Sequence, residues 1–141
     1  MGGHISQGDF GMARETGEFI NGAALEAAKN DRGFGETIGK NILEKDLPFA
    51  SYSLIAQAVK RGIPVTIHVA LGTDIIHMHP DMDGGATGAA SFYDFRLFVS
   101  TLQKISGGVH MNIGSTVVLP EVFVKAMTSA NNLNGVPARD Y

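Results

Sequence analysis

Residues 62–83 read GIPVTIHVALGTDIIHMHPDMD, an apolar half followed by a polar half. The apolar half, residues 63–71, is rich in β-branched side chains and comes directly after a segment with helical periodicity. Such a run is typical of a strand covered on both faces by helices. The stretch holds three of the five histidines and three aspartates, most of them after the apolar run ends. Open α/β sheets bind ligands outside the carboxyl ends of their strands. We therefore expect part of any functional site just beyond residue 71.

Composition narrows the class of protein. The 141 residues suit one domain or a fragment of one, and we expect a single unit over residues 1–141 with an irregular arm at 1–10. A formal net charge of -3 gives no basic face for nucleic acid or an anionic membrane. The chain has no cysteine, which excludes disulfides and thiolate metal sites and suits the cytoplasm. No apolar run approaches the ~20 residues that span a bilayer, so we expect a soluble, cytoplasmic protein.

Apolar periodicity predicts that helices alternate with two short strands. The predicted helices cover residues 11–29, 34–45, 52–61, 93–105 and 120–132. The predicted strands are residues 63–71 and 109–113, with a loop at 83–88 between them. This order predicts an α/β fold with a right-handed βαβ unit and parallel strands. Two parallel strands make an incomplete sheet, so we expect missed strands, a second copy or a further segment to complete it.

Asp74 is the first candidate site residue, because it follows Gly72 and Thr73 at the end of the first predicted strand. A carboxylate there could bind an amine, a ribose hydroxyl or a catalytic histidine. The alternative is that Thr73 or Asp74 caps a short helix over residues 75–79. Capping and ligand binding are compatible, and both interpretations stay open.

The second candidate is a metal site. Histidines and aspartates alternate with other residues, so an extended backbone would point four of them the same way. They are His77, His79, Asp81 and Asp83. Imidazole and carboxylate ligands together suit zinc or manganese. The run from His77 to Asp81 resembles the opening of the metallo-β-lactamase motif, although Met82 stands where that family has a further histidine. A helical backbone would remove the alternation.

The third candidate is the turn Gly114-Ser115-Thr116 between the second predicted strand and the last helix. Small residues let the backbone approach a ligand, and a helix N-terminus attracts phosphate or carboxylate. A tight turn without a ligand explains the same residues. Glu121, near the start of that helix, could bind a cationic substrate or only favour the helix dipole.

Several short motifs follow one another along residues 52–135. They are IPV at 63–65, LGTDII at 71–76 with His79, DFR at 94–96, GGV at 107–109 and GSTVV at 114–118. In order and spacing these motifs resemble the second half of deoxyhypusine synthase, and more closely a family of uncharacterised bacterial proteins similar to that enzyme.

The resemblance implies a Rossmann-like, three-layer α/β/α fold, a homo-oligomer, NAD as cofactor, and transfer of an aminobutyl group from spermidine to a protein lysine. By position, Asp74 matches the family's spermidine-contacting aspartate, and His79 matches the histidine that ends the same segment. The resemblance therefore makes Asp74 and His79 candidate catalytic residues, and Asp74 and Glu121 candidate substrate-binding residues. The candidate cofactor-binding residues are Gly72, Thr73, Gly114, Ser115 and Thr116.

The chain departs from the family at several positions. Glu121 stands where the enzyme has a substrate-contacting histidine, and Val69 stands where it has an aspartate near NAD. The segment with the catalytic lysine would lie beyond Tyr141, and the N-terminal strands with most NAD contacts are not found. We therefore do not expect synthase activity from this chain alone.

Three functional interpretations remain. The first is a deoxyhypusine synthase-like protein that binds NAD, another nucleotide or a small amine. The second is a metal-dependent hydrolase with zinc or manganese at His77, His79 and Asp81. The third is a non-catalytic, oligomeric interaction module.

Overall fold

The computed structural model describes residues 13–135, and over this range the chain is helical. The α-helices are α1 (Arg14–Lys29), α2 (Phe34–Glu44), α3 (Leu54–Lys60), α4 (Gly84–Leu102) and α5 (Val118–Asn134), and the 3-10 helices are Ala50–Tyr52 and Ile75–Met78. The irregular arm predicted at residues 1–10 lies outside the described residues. Within residues 13–135, every helix falls short of the length or the apolar character that a membrane crossing requires.

The predicted helices form close to their predicted positions, except that α4 begins earlier. Asp83 Oδ1 accepts a hydrogen bond from the Ala86 N–H at 2.8 Å and caps the helix. Residues 84–88 therefore belong to the first turns of α4, and the loop predicted at 83–88 is wrong.

Two apolar clusters hold the helices together, and α4 contributes to both. The first cluster lies between α1, α2 and α4, and the second lies between α4 and α5. The buried apolar residues of the first are Ala23, Ala24, Ala27, Phe34, Ile38 and Ala90, and those of the second are Val99, Leu102, Ala126, Met127 and Ala130.

Helix α2 packs at close range because glycine stands where it meets its neighbours. A Cβ added at Gly35 would stand 2.8 Å from the Val65 carbonyl carbon, and one added at Gly39 would stand 3.1 Å from the Ile55 carbonyl oxygen. The first of these distances is shorter than a real Cβ contact. Helix α2 therefore lies directly against the backbone of residues 63–70.

The expected Rossmann-like, three-layer α/β/α fold with parallel strands is wrong, because residues 13–135 contain no strand and no sheet. Residues 63–70 and 109–113, where the sequence predicts strands, run without turn or bend but do not pair. We call them the first and second extended segments. The apolar pattern indicates a straight backbone at both places, but it carries no information on what pairs with it.

Side chains of α4 take the place of a neighbouring strand along one edge of the first extended segment. Asp94 Oδ2 accepts a hydrogen bond from the Ile67 N–H at 2.8 Å. Ser91 Oγ accepts from the Val69 N–H at 3.0 Å and donates to the Ile67 carbonyl at 3.1 Å. Because these backbone groups have partners, that edge needs no strand.

The second extended segment lies at the surface. Val109, Met111 and Ile113 are 80%, 74% and 79% exposed. No backbone N–H or C=O of residues 109–113 has a hydrogen-bond partner in the part of the chain that the structure describes. The sequence predicts a strand within a sheet here, and the structure instead shows an unpaired, solvent-exposed segment.

Candidate functional site

An open groove of about 770 Å³ lies between α1, α2 and the first extended segment. We call it the α1–α2 groove. Its floor is apolar and includes Phe19, Ile38, Ile42, Ile55, Ile67 and Ile76. Its size falls within the range of about 300 to 1,000 Å³ that is usual for sites that bind small molecules. The groove is therefore a candidate binding site with mainly apolar walls.

Three carboxylates and one ammonium group also line the α1–α2 groove. The carboxylates belong to Glu15, Glu18 and Asp74, and the ammonium group belongs to Lys45. Glu18 accepts a hydrogen bond from Arg14 Nε at 2.6 Å, so its charge is already compensated. Lys45 Nζ lies 5.1 Å from the centre of the Phe19 ring. Within residues 13–135, Glu15 and Asp74 have no ion pair with lysine or arginine.

The turn that carries Asp74 is held by His77. His77 Nδ1 accepts hydrogen bonds from the N–H groups of Gly72 and Asp74, at 3.0 and 3.1 Å. Thr73 Oγ1 donates to the Ala70 carbonyl at 2.7 Å and closes the same turn. The structure thus brings together Gly72, Thr73, Asp74 and His77, and only Asp74 among them lines the α1–α2 groove.

The imidazole of His77 binds backbone groups of its own turn and is largely inaccessible to a ligand. Its side chain is 7% exposed, and Nε2 lies 3.9 Å from Asp74 Oδ2. Because Nδ1 accepts two N–H groups, a neutral His77 carries its proton on Nε2. Nε2 is buried and has no hydrogen-bond partner in the described part of the chain.

The 3-10 helix Ile75–Met78 follows directly after Asp74, which stands at its N-cap position. The helix alternative considered for this region is therefore correct, and an extended run from His77 to Asp83 does not exist. His79 Nδ1 accepts a hydrogen bond from the Asp81 N–H at 3.2 Å, so this nitrogen also has a backbone partner. No three His, Asp or Glu side chains within residues 13–135 are grouped so that they could hold a metal ion.

The glycine turn at residues 114–116 does not contribute to the α1–α2 groove. Ser115 Oγ accepts a hydrogen bond from the Leu119 N–H at 3.1 Å, so the start of α5 is capped by the chain itself. Asn112 Nδ2 donates to the Ser115 carbonyl at 2.7 Å and tightens the turn. Glu121 pairs with Lys125 at 3.4 Å on the exposed side of α5. Neither the turn nor Glu121 lies with Asp74 along the groove.

Asp94 is a buried polar residue to which the sequence gives no role beyond its place in the DFR motif. It has no exposed surface, and its Oδ2 accepts from the N–H groups of Gly35 and Ile67 at 2.9 and 2.8 Å. Burial raises the pKa of the Asp94 carboxyl, while backbone hydrogen bonds from Gly35, Ile67 and Phe34 oppose that rise. Its only signal in the sequence is a lone aspartate within a helix of mainly apolar residues.

The acidic rim of the groove is also missed from the sequence. Glu15 and Glu18 appear there only as polar residues of an amphipathic helix, on a part of the chain far from Asp74 in sequence. The signal that could find them is their position beside Phe19, which lies on the groove floor.

No protein-family model matches the chain, and comparisons with curated proteins and with solved structures give no match either. The resemblance to deoxyhypusine synthase therefore stays a prediction from short motifs. The geometry itself offers an open apolar groove with Asp74 and Glu15 at its rim.

Proposed function

We propose that this protein binds a small organic amine in the α1–α2 groove, with the ammonium group at Asp74 and the alkyl chain along the floor. The observation that carries the proposal is that Asp74 lines an apolar groove and has no lysine or arginine partner within residues 13–135. Its side chain is 57% exposed, so a ligand can reach the carboxylate.

The floor of the groove supports an aliphatic ligand. Ile38 is buried, and Phe19, Ile42, Ile55 and Ile67 pack against the same core cluster. Removing alkyl groups from water contributes about 0.8 kcal/mol for each buried CH₂. A chain of a few methylene groups can therefore supply much of the affinity without any hydrogen bond.

The charges at the rim of the groove favour binding of a cation over binding of an anion. Glu15 and Asp74 carry two negative charges without a lysine or arginine partner in the described residues, and the nearest basic group to Asp74 is His77 Nε2 at 3.9 Å. Glu18 is compensated by Arg14. A hydrogen bond between an ammonium group and a carboxylate is stronger than one between neutral groups, although water screens part of it at an exposed carboxylate. Lys45 adds one positive charge to the lining, which disfavours a second ammonium group beside it.

The motif resemblance supports the same ligand class. Deoxyhypusine synthase uses spermidine, an aliphatic amine, and Asp74 matches the aspartate of that family that contacts it. NAD receives less support from the geometry, because the candidate cofactor turn at residues 114–116 is not part of the groove.

Isothermal titration calorimetry with hexylamine and hexanol tests the proposal, because the two ligands share the alkyl chain and differ in charge. We expect hexylamine to bind at least tenfold more tightly than hexanol, and Asp74→Asn to remove that difference. Asp81→Asn is the matched control, since Asp81 is an exposed carboxylate nearby that does not line the groove. Spermidine and NAD are titrated in parallel.

Four outcomes would contradict amine binding at Asp74, three of which concern the amines themselves. They are equal affinity for hexylamine and hexanol, an unchanged hexylamine affinity in Asp74→Asn, and a failure of both hexylamine and spermidine to bind. Saturable binding of NAD without any binding of amines would also contradict the proposal.

A further inference from the structure

We propose that a second copy of this chain pairs with the first through its extended segments, so that residues 109–113 of one copy add a strand beside residues 66–68 of the other. Each copy then gives the other the strand that it lacks.

The first extended segment has one open edge. The backbone N–H and C=O groups of successive residues point to opposite sides of an extended chain, so those of residues i and i+2 point to the same side. The groups of Ile67 and Val69 point toward α4, where Asp94 and Ser91 bind them. The backbone N–H and C=O of Thr66 and His68 have no hydrogen-bond partner within the described part of the chain. An added strand satisfies these groups, as in other cases of strand addition to an open edge.

The second extended segment presents an apolar stripe together with free backbone groups. The His110 ring stacks on Phe123 of α5, with ring centres 3.8 Å apart. Because side chains alternate along an extended backbone, Val109, Met111 and Ile113 face away from α5. All three are largely exposed. Three exposed apolar side chains on one side of a short segment, with the His110 ring on the other side against α5, indicate a face that another chain covers.

The two segments border a common cleft. Pro64 at the start of the first and residues 108–110 at the start of the second line a cleft of about 560 Å³ over α4. The segments make no hydrogen bond to each other. A strand added at Thr66 and His68 would lie about 4.8 Å from the first extended segment, which is the usual spacing in a sheet.

A second copy fits this face without electrostatic repulsion. Neither residues 62–73 nor residues 105–120 contain an Asp, Glu, Lys or Arg, although the whole chain carries a formal charge of -3. Two copies therefore meet through these segments without repulsion between like charges. The open edge and the free strand lie in one chain, so pairing between identical copies uses both of them and can close as a symmetric dimer. An unpaired edge left in water would favour unspecific aggregation.

Light scattering after size-exclusion chromatography, over a dilution series, tests the pairing. We expect a mass twice the 14.9 kDa of one chain at the higher concentrations, and a monomer for Met111→Lys at the same concentrations. Met111 is 74% exposed, so the variant should keep its helical circular dichroism. Leu54→Lys is the matched control, because Leu54 is an 87% exposed apolar residue of α3 and should leave the dimer intact.

Mixed disulfides identify the contact, since the chain has no cysteine of its own. We expect Thr66→Cys and Met111→Cys chains, mixed and oxidised, to form a cross-linked pair containing one of each. A monomer at every concentration would overturn the proposal. A dimer that persists in Met111→Lys would also overturn it, as would equal disruption of the dimer by Leu54→Lys. So would a dimer that gives no cross-linked pair of the two cysteine variants.

Discussion

Asp94 joins three parts of the chain through one carboxylate. It lies on α4, receives the N–H of Gly35 at the start of α2, and receives the N–H of Ile67 in the first extended segment. Its other oxygen, Oδ1, is buried without a hydrogen-bond partner in the described residues. The contact therefore sets how α2 and the extended segment lie on α4, and with them the floor of the α1–α2 groove.

The pKa of Asp94 makes a prediction about stability. Burial raises this pKa above the usual 3.8, so the folded protein holds the Asp94 proton more firmly than the unfolded chain does. The stabilising effect is complete below the unfolded pKa and is lost as pH rises through the folded pKa. We expect the free energy of unfolding of the wild type, relative to Asp94→Asn, to fall as pH increases from acid toward neutral.

Denaturant titrations of both proteins on each side of the transition measure this difference. Asp94→Asn is a suitable reference because it keeps an oxygen that can accept from Gly35 and Ile67 but cannot titrate. A relative stability of the wild type that rises with pH would show that the hydrogen bonds to the carboxylate outweigh its burial, contrary to the prediction.

At the scale of residues, the sequence located part of the candidate site and missed the rest. Asp74 was predicted as a ligand residue from its place after an apolar run, and it does line the α1–α2 groove. Gly114 and Glu121, the other candidates from the sequence, do not line the groove, because residues 13–135 form no parallel sheet that would bring two strand ends together. Asp94 could not be recognised, because its partners are backbone groups distant in sequence.

The close packing of helix α2 depends on glycine at position 35. An alanine Cβ at Gly35 would stand 2.8 Å from the Val65 carbonyl carbon, which is backbone and cannot rotate away. We expect Gly35→Ala to lower the free energy of unfolding by about 1 to 3 kcal/mol through overpacking. Thermal or denaturant unfolding of purified variants gives this value.

Gly22 of α1 supplies the matched control for that substitution. Nothing lies within 4 Å of a Cβ added there, and the residue is exposed within a helix. Gly22→Ala should therefore stabilise the protein by up to about 1 kcal/mol, through helix propensity alone. Equal effects of the two substitutions would mean that α2 does not press on the first extended segment.

At the scale of elements, helices were predictable and strand pairing was not. The 3.6-residue apolar period of α1 and α2 gives their faces directly, because each helix satisfies its own backbone. The sequence predicts a strand at residues 63–71, and this prediction is wrong because a strand depends on partners outside itself. Here Asp94 and Ser91 supply those partners, and nothing in the local pattern of residues 63–70 reveals it. The early start of α4 was missed because Gly84 and Gly85 look like a loop, while Asp83 caps the helix.

The α1–α2 groove belongs to the whole molecule. Glu15, Lys45 and Asp74 come from three separate parts of the chain and share the lining only because α1, α2 and the first extended segment pack together. The apolar pattern predicts which side of each helix is buried, but it does not predict how the helices and the extended segment pack together. The groove was therefore beyond reach from the sequence, and an amine at Asp74 stays a proposal.

Two segments of this protein are extended yet unpaired within one copy of the chain, and pairing between copies requires this. Residue-level amide hydrogen exchange, at a dilution where the protein is monomeric, tests this most directly. We expect the amides of Ile67 and Val69, which are bound to α4, to exchange more slowly than those of Thr66 and His68. We expect the amides of residues 109–113 to exchange nearly as fast as those of an unstructured chain. Uniform protection along residues 63–70 together with protection of residues 109–113 in the dilute monomer would show a sheet within one copy and contradict the account.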